Sequence, residues 1–336
     1  MKFKQKDLFD KISEKKSFNM IFRGLIIFLF LILAAAFFVS ITYSIFSDEK
    51  FDIKIKSHAS NKEYRKYILV VMYQTSDDFL NKFKEGINLK AEQNQFLIDF
   101  ANVETINQAV DKINTAVAAG VDGIIAQGIY DSDYIKAINK AIEKGVTVEF
   151  AYTDARGTDR AYFVGYNAYD FGKIAARSAI EEIHKPQGEI ALLVQSISDD
   201  EKDVTGSLII EGFKSIADKY PKINLKSIAR TSTDLFSAED VTYDIIRKNP
   251  DIDAIVCTSE KDAFGAAQVI IDLNRVGDIK IIGVGVSQEI LKYIDLEVIS
   301  ATFDMNPEIM SEKCIEVFSG SKVSSEFVEI PFKLVN

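Results

Sequence analysis

Cysteine and histidine are nearly missing from this chain, two of each in 336 residues. Cys257 and Cys314 cannot build a disulfide framework. One ends an apolar run and the other sits in a helical pattern, so buried thiols are expected. His58 and His184 are too few for a histidine-rich metal site. Neither has a serine or cysteine placed for a hydrolytic triad, and His184, just before Lys185-Pro186, suits a helix C-terminus. No glycine-rich phosphate loop with its lysine occurs. Gly283-Val284-Gly285-Val286-Ser287 lacks the third glycine of a dinucleotide fingerprint, and a close turn explains it better. Basic charge is short as well. From Gly24 onward, 313 residues carry 33 basic and 47 acidic side chains, which argues against nucleic acid or an anionic lipid surface as partner. Neither an enzyme nor a cofactor is expected.

Long apolar runs are absent with one exception. Between Arg23 and Asp48, 24 residues carry no charge. Residues 24–46 (GLIIFLFLILAAAFFVSITYSIF) suffice for a helix across a hydrocarbon core of about 30 Å. Seven basic residues precede the run against three acidic ones, and Asp48 and Glu49 follow it. Positive flanks stay in the cytoplasm, so residues 1–23 are expected inside and the bulk of the chain outside. A cleaved signal peptide would have a shorter apolar core, of roughly 7–15 residues, ending at a small-residue site. Here Ala34-Ala35-Ala36 lies in mid-run. An uncleaved anchor is the expectation, followed by a polar, aperiodic linker over 47–65.

From Lys66 short apolar runs alternate with amphipathic stretches. Residues 67–73 (YILVVMY) have strand length, and Phe79, Phe83 and Ile87 then recur at helical spacing. The alternation predicts strands at 95–100, 123–126, 146–150, 189–194, 224–229, 254–257, 279–284 and 298–302. Between them it predicts helices at 105–119, 134–144, 168–183, 205–219, 238–248, 264–273 and 289–294. Apolar strands alternating with helices imply parallel sheets covered on both faces. About ten strands are too many for one small domain, which gives an α/β chain of two doubly wound lobes dividing near Tyr166.

Ligands of such sheets bind beyond the carboxyl ends of the strands. There the sequence places Asp77 and Phe79, Gln127, Tyr152, Thr153 and Asp154, Ser259 and Glu260, and Asp304. Short polar side chains beside a few rings suit a hydroxylated small molecule: the polar groups exchange hydrogen bonds and a ring covers an apolar face. For Asp77, Ser259 and Ser287 a helix cap is an equal explanation.

The order and spacing of several motifs resemble the type I periplasmic sugar-binding proteins, the ribose- and galactose-binding group. The motifs are Asp77-Asp78-Phe79-Leu80 with Glu85-Gly86, Gly120-Val121-Asp122-Gly123, Val164-Gly165-Tyr166-Asn167 leading to Gly172, and Glu211-Gly212-Phe213. Further along come Asn249-Pro250-Asp251, Phe264-Gly265-Ala266 and Ile281-Ile282-Gly283-Val284. The resemblance covers about 66–335. It implies a type I periplasmic-binding fold after the membrane helix, with residues 66–165 and about 305–325 in one lobe, and 166–304 and about 326–336 in the other. Crossings would fall near Tyr166, at 303–305 and at 325–327. It also implies that Asp77 supplies a polar sugar contact, that Phe79 stacks on a ring, and that Asp304 adds a polar contact near the hinge. The family's Asp-Arg pair is here Tyr152-Thr153, followed by Asp154 and Arg156. Its cleft arginine is replaced by Ile209 and Ile210, its Asn-Asp by Ser259-Glu260, and its late aspartate by Gly285. Among the roles the family implies, a membrane-tethered sensor that engages a histidine kinase suits the helical anchor. The alternatives are the substrate-binding protein of an ABC permease and a ligand-free adaptor with a degenerate cleft.

Overall fold

The computed structural model describes residues 64–196, 203–232, 236–320 and 325–336. The expected membrane helix at 24–46, the segment before it and nearly all of the linker lie outside the described residues. Among the described residues no helix is long and apolar enough to cross a membrane.

The chain first lays down β1 (Lys66–Tyr73), α1 (Asp77–Asn94), β2 (Phe96–Val103), α2 (Ile106–Ala118), β3 (Gly123–Gln127), α3 (Ser132–Glu143), β4 (Thr147–Tyr152) and β5 (Tyr162–Gly165). It then enters a second sheet through α4 (Ala168–Ile183), β6 (Gly188–Gln195), α5 (Val204–Ala217), β7 (Ile223–Thr231) and α6 (Ser237–Lys248). The second lobe continues with β8 (Ala254–Cys257), α7 (Glu260–Asp272), β9 (Lys280–Val284), α8 (Gln288–Asp295) and β10 (Ala301–Asp304). Finally α9 (Pro307–Phe318) and β11 (Phe327–Glu329) return to the first lobe, and β12 (Lys333–Val335) closes on the second. The sheet orders are β11-β5-β4-β3-β1-β2 and β12-β10-β9-β8-β6-β7. Every pairing is parallel except β12 against β10. These are the two doubly wound lobes of a type I periplasmic-binding fold.

Alternation along the central strands builds the core. Ile68, Val70 and Met72 face Phe83 and Ile87 of α1, while Leu69 and Val71 face Ile113 of α2 and Ile138 of α3. In the second lobe Ile190, Leu192 and Val194 face α4 and α5, and Ala191 and Leu193 face α6 and α7. Both faces are covered, so the strands read as unbroken apolar runs. Each such aliphatic side chain contributes about 1.5–3 kcal/mol on burial. Cys257 and Cys314 are free, buried thiols.

The chain crosses between lobes after Gly165, after Asp304 and between Glu329 and Lys333. The third crossing lies beyond the 325–327 expected from sequence. β11 stays on β5, paired from Phe327 to Glu329, and Phe327 stacks on Phe163 with ring centroids 5.2 Å apart.

Candidate functional site: the crevice between the lobes

Strands β1, β3 and β4 of the first sheet and β6, β8, β9 and β10 of the second end at one crevice. Its empty volume is ≈ 1090 Å³, open solvent at the mouth included. Several of these ends turn in the left-handed region: Gln74 after β1 (φ 47°), Tyr152 closing β4 (φ 70°) and Gly285 after β9 (φ 103°). Left-handed backbone is uncommon at residues other than glycine, and such strained positions gather at functional sites.

Rings form one wall. Phe79 lies 4.7 Å from Tyr152, and Tyr152 lies 5.8 Å from Tyr166, centroid to centroid. Burial, with a smaller contribution from the Glu260 charge, pushes the Tyr152 phenol up to about 12, so it remains a neutral hydroxyl. Three ion pairs sit around the crevice. Asp154 accepts a two-pronged pair from Arg160, Nε at 2.6 Å and Nη2 at 2.5 Å. Arg230 Nη1 donates to Asp203 Oδ2, while Asp203 Oδ1 caps α5 by accepting from Gly206 N at 2.9 Å. Lys82 meets Asp78 at 2.7 Å.

A family model for the periplasmic binding protein domain matches residues 68–319. The chain belongs to the periplasmic binding protein family. The D-allose-binding periplasmic protein of Escherichia coli (strain K12) is 22% identical over 267 residues, 78% of this chain and 75% of that protein. Among solved structures, GanP, a glucose-galactose binding protein from Geobacillus stearothermophilus, superposes with a TM-score of 0.74. It is 24% identical and covers 82% of this chain and 98% of its own. The XylFII-LytSN complex gives 0.71 at 22% identity, covering 82% and 98%. The structural likenesses speak for the fold.

In this periplasmic binding protein the residues singled out by sequence divide three ways. Phe79, Tyr152 and Glu260 line the crevice, as does Asp304, one of whose oxygens accepts from Asn306 N at 2.9 Å. Gln127, Thr153, Asp154 and Ser259 line it too, but their side chains already have intramolecular work. Gln127 Oε1 accepts from Tyr73 N at 3.1 Å and from Thr75 Oγ1 at 3.0 Å. Thr153 Oγ1 donates to Gly128 O at 2.9 Å, and Asp154 is held by Arg160. Ser259 caps α7, accepting from Asp262 N at 3.1 Å. Asp77 does not reach the crevice wall: it is exposed on the outer rim, and its neighbour Asp78 lines the wall instead. Asp77 is the first residue of α1, with Ser76 at the N-cap. A step of one residue turns a side chain by roughly 100°.

The Glu260 carboxylate stands over Gly285, where the family's late aspartate is missing. A Cβ at residue 285 would stand 2.6 Å from Glu260 Oε2, so the carboxylate occupies the space above that glycine. Sequence reading missed Asp203 and Arg230, and it placed Gln74 at a strand end without giving it a role. Asp203, three residues before Gly206, has cap spacing and was detectable as such. Arg230 becomes visible only once β6 and β7 are paired.

Proposed function

We propose that this protein is an extracytoplasmic receptor for a sugar-like solute, held at the membrane through residues 24–46 and reporting to a membrane histidine kinase. The observation that carries the binding half is the crevice itself. Rings and hydrogen-bonding groups from both lobes converge at the carboxyl ends of two parallel sheets, where solutes of this architecture bind. The allose and glucose-galactose named for two relatives support a sugar-like ligand. Tyr152 and Phe79 present ring faces to it, and Glu260 and Asp304 present acceptors. Binding draws the lobes together about the three crossings. The ligand biases that closure only by its higher affinity for the closed form.

Reporting to a kinase is supported by two features. A helical anchor gives a high effective concentration beside a membrane partner, which a shuttling carrier does not need. A protein of the same fold is also known in complex with a second protein, LytSN.

The full chain in detergent, screened by thermal shift against pentoses, hexoses, polyols, nucleosides and inositols, tests the binding half. Ligand at about 100 times its dissociation constant adds roughly 2.7 kcal/mol. No shift across the panel overturns solute binding and leaves an adaptor. Affinity purification from native membranes tests the other half. A kinase is expected among the bound proteins, and recovery of an ABC permease without a kinase replaces the sensor with an importer component.

A further inference from the structure

Two guanidinium groups beside the crevice are engaged within the protein, Arg160 with Asp154 and Arg230 with Asp203, while Arg156 borders the adjoining surface. The walls offer a ligand rings, hydroxyls, the carboxylates of Glu260 and Asp304, and the Lys261 side chain. Glu260 forms no ion pair among the described residues, and its carboxylate stands over Gly285 within the crevice. Asp304 accepts from Asn306 N at 2.9 Å through one oxygen and lines the same space. Opposite, Gln74 donates its side-chain nitrogen to Glu104 O at 3.1 Å. Its Oε1 is buried with no hydrogen-bond partner among the described residues. The outer mouth adds Asp77, Glu104 and Glu289 to these carboxylates, and its basic residue, Lys261, lines the crevice as well.

Resting on the solute-binding reading above, we propose that the ligand is a hydroxylated amine, an amino sugar or aminated polyol, and that Glu260 sets this preference by holding its ammonium group. An ammonium has three donors and no acceptor, the complement of the Glu260 and Asp304 carboxylates. It is also drawn to the faces of rings such as Tyr152 and Phe79. A uronate or sugar phosphate brings a second negative charge to Glu260 and Asp304, which like-charge repulsion disfavours. An acidic mouth gathers cations before they dock.

Calorimetric titration of the full chain tests this with matched pairs: glucosamine and glucose, galactosamine and galactose, mannosamine and mannose, plus glucuronate, at pH 6 where the amines are protonated. At least one amine is expected to bind about 10- to 100-fold more tightly than its hydroxyl parent, the range of a charge-assisted hydrogen bond. Glucuronate is expected to bind more weakly than glucose. In Glu260→Gln the amine-to-parent ratio falls towards one, and in Glu260→Asp, which keeps the charge, part of it returns. Rising salt narrows the ratio in the unmodified protein, a readout that needs no variant. Neutral sugars binding as well as or better than their amines overturn the amine preference and leave solute binding intact. Folded protein that binds none of these nor any member of the wider panel overturns both.

Discussion

Asp262 is fully buried in the first turn of α7, and neither of its carboxylate oxygens has a hydrogen-bond partner among the described residues. Burial pushes its carboxyl up from 3.8 to about 6, while Thr231 and Ser259 lie close enough to restrain the rise without reaching hydrogen-bond geometry. The folded state therefore holds the proton more tightly than the unfolded chain does. The associated stability is fully present below pH 3.8 and is lost as pH rises through 6. A shift of about two units corresponds to ~3 kcal/mol at most. Asp262→Asn removes a charge that is buried above that window. The variant is expected to gain about 1–3 kcal/mol relative to the unmodified protein between pH 4.5 and pH 7.5. Urea unfolding at both pH values measures it, and an equal difference at the two would mean that Asp262 does not titrate in this window. Glu149, fully buried on β4 near Cys314, is likewise raised well above the usual carboxylate range by burial.

At the scale of elements, α4 and α5 cross with their backbones almost touching. A Cβ on Gly172 would stand 2.1 Å from Ile209 O, and one on Gly212 would stand 2.0 Å from Tyr169 O. Gly212→Ala would gain about 1 kcal/mol of helix propensity and lose more, because two helix backbones must move apart. A net loss of about 1–3 kcal/mol is expected from overpacking. A lowered urea midpoint with an unchanged slope is the sign to look for, and an unchanged midpoint would mean the helices separate freely. The motifs Glu211-Gly212-Phe213 and Tyr166-Asn167 to Gly172 were legible in the sequence because this crossing depends on them. Strands β1, β3, β6, β8 and β9 were legible because burial on both faces leaves them uniformly apolar. The three-residue edge strands β11 and β12 have too few residues to show a period. Helix α7 begins at Glu260 rather than at 264 because its first turn is polar and capped by Ser259. In the crevice, residue types were readable but side-chain commitments were not. The Asp154–Arg160 fork depends on a loop's shape, the Asp203–Arg230 pair on a sheet register, and the choice of Asp78 over Asp77 on a single step of helix.

Across the whole molecule, each crossing brings a ring to one cluster. Tyr166 from the first crossing lies 5.6 Å from Phe171, which lies 5.3 Å from Phe303 beside the second crossing and 5.5 Å from Phe332 in the third. Phe303 and Phe332 meet edge to face at 5.7 Å. Through Tyr166 the cluster continues to Tyr152 and so to the crevice wall. Under the proposed binding mechanism, lobe closure would be transmitted past packed rings, which favour discrete arrangements over continuous bending. Phe332 does not line the crevice, so Phe332→Ala alters the hinge and leaves the ligand contacts in place. Edge-to-face ring pairs contribute about 0.5–1.5 kcal/mol each beyond buried area, and Phe332 makes two with its hinge neighbours. The described arrangement, with both lobes facing one volume, is expected to lose about 1–3 kcal/mol relative to more open forms. Ligand affinity then falls by up to about 5- to 150-fold. Small-angle scattering is expected to give the free variant a larger radius of gyration than the unmodified protein, with the gap narrowing at saturating ligand. Unchanged affinity together with an unchanged radius would mean that the ring cluster supports the fold but takes no part in closure.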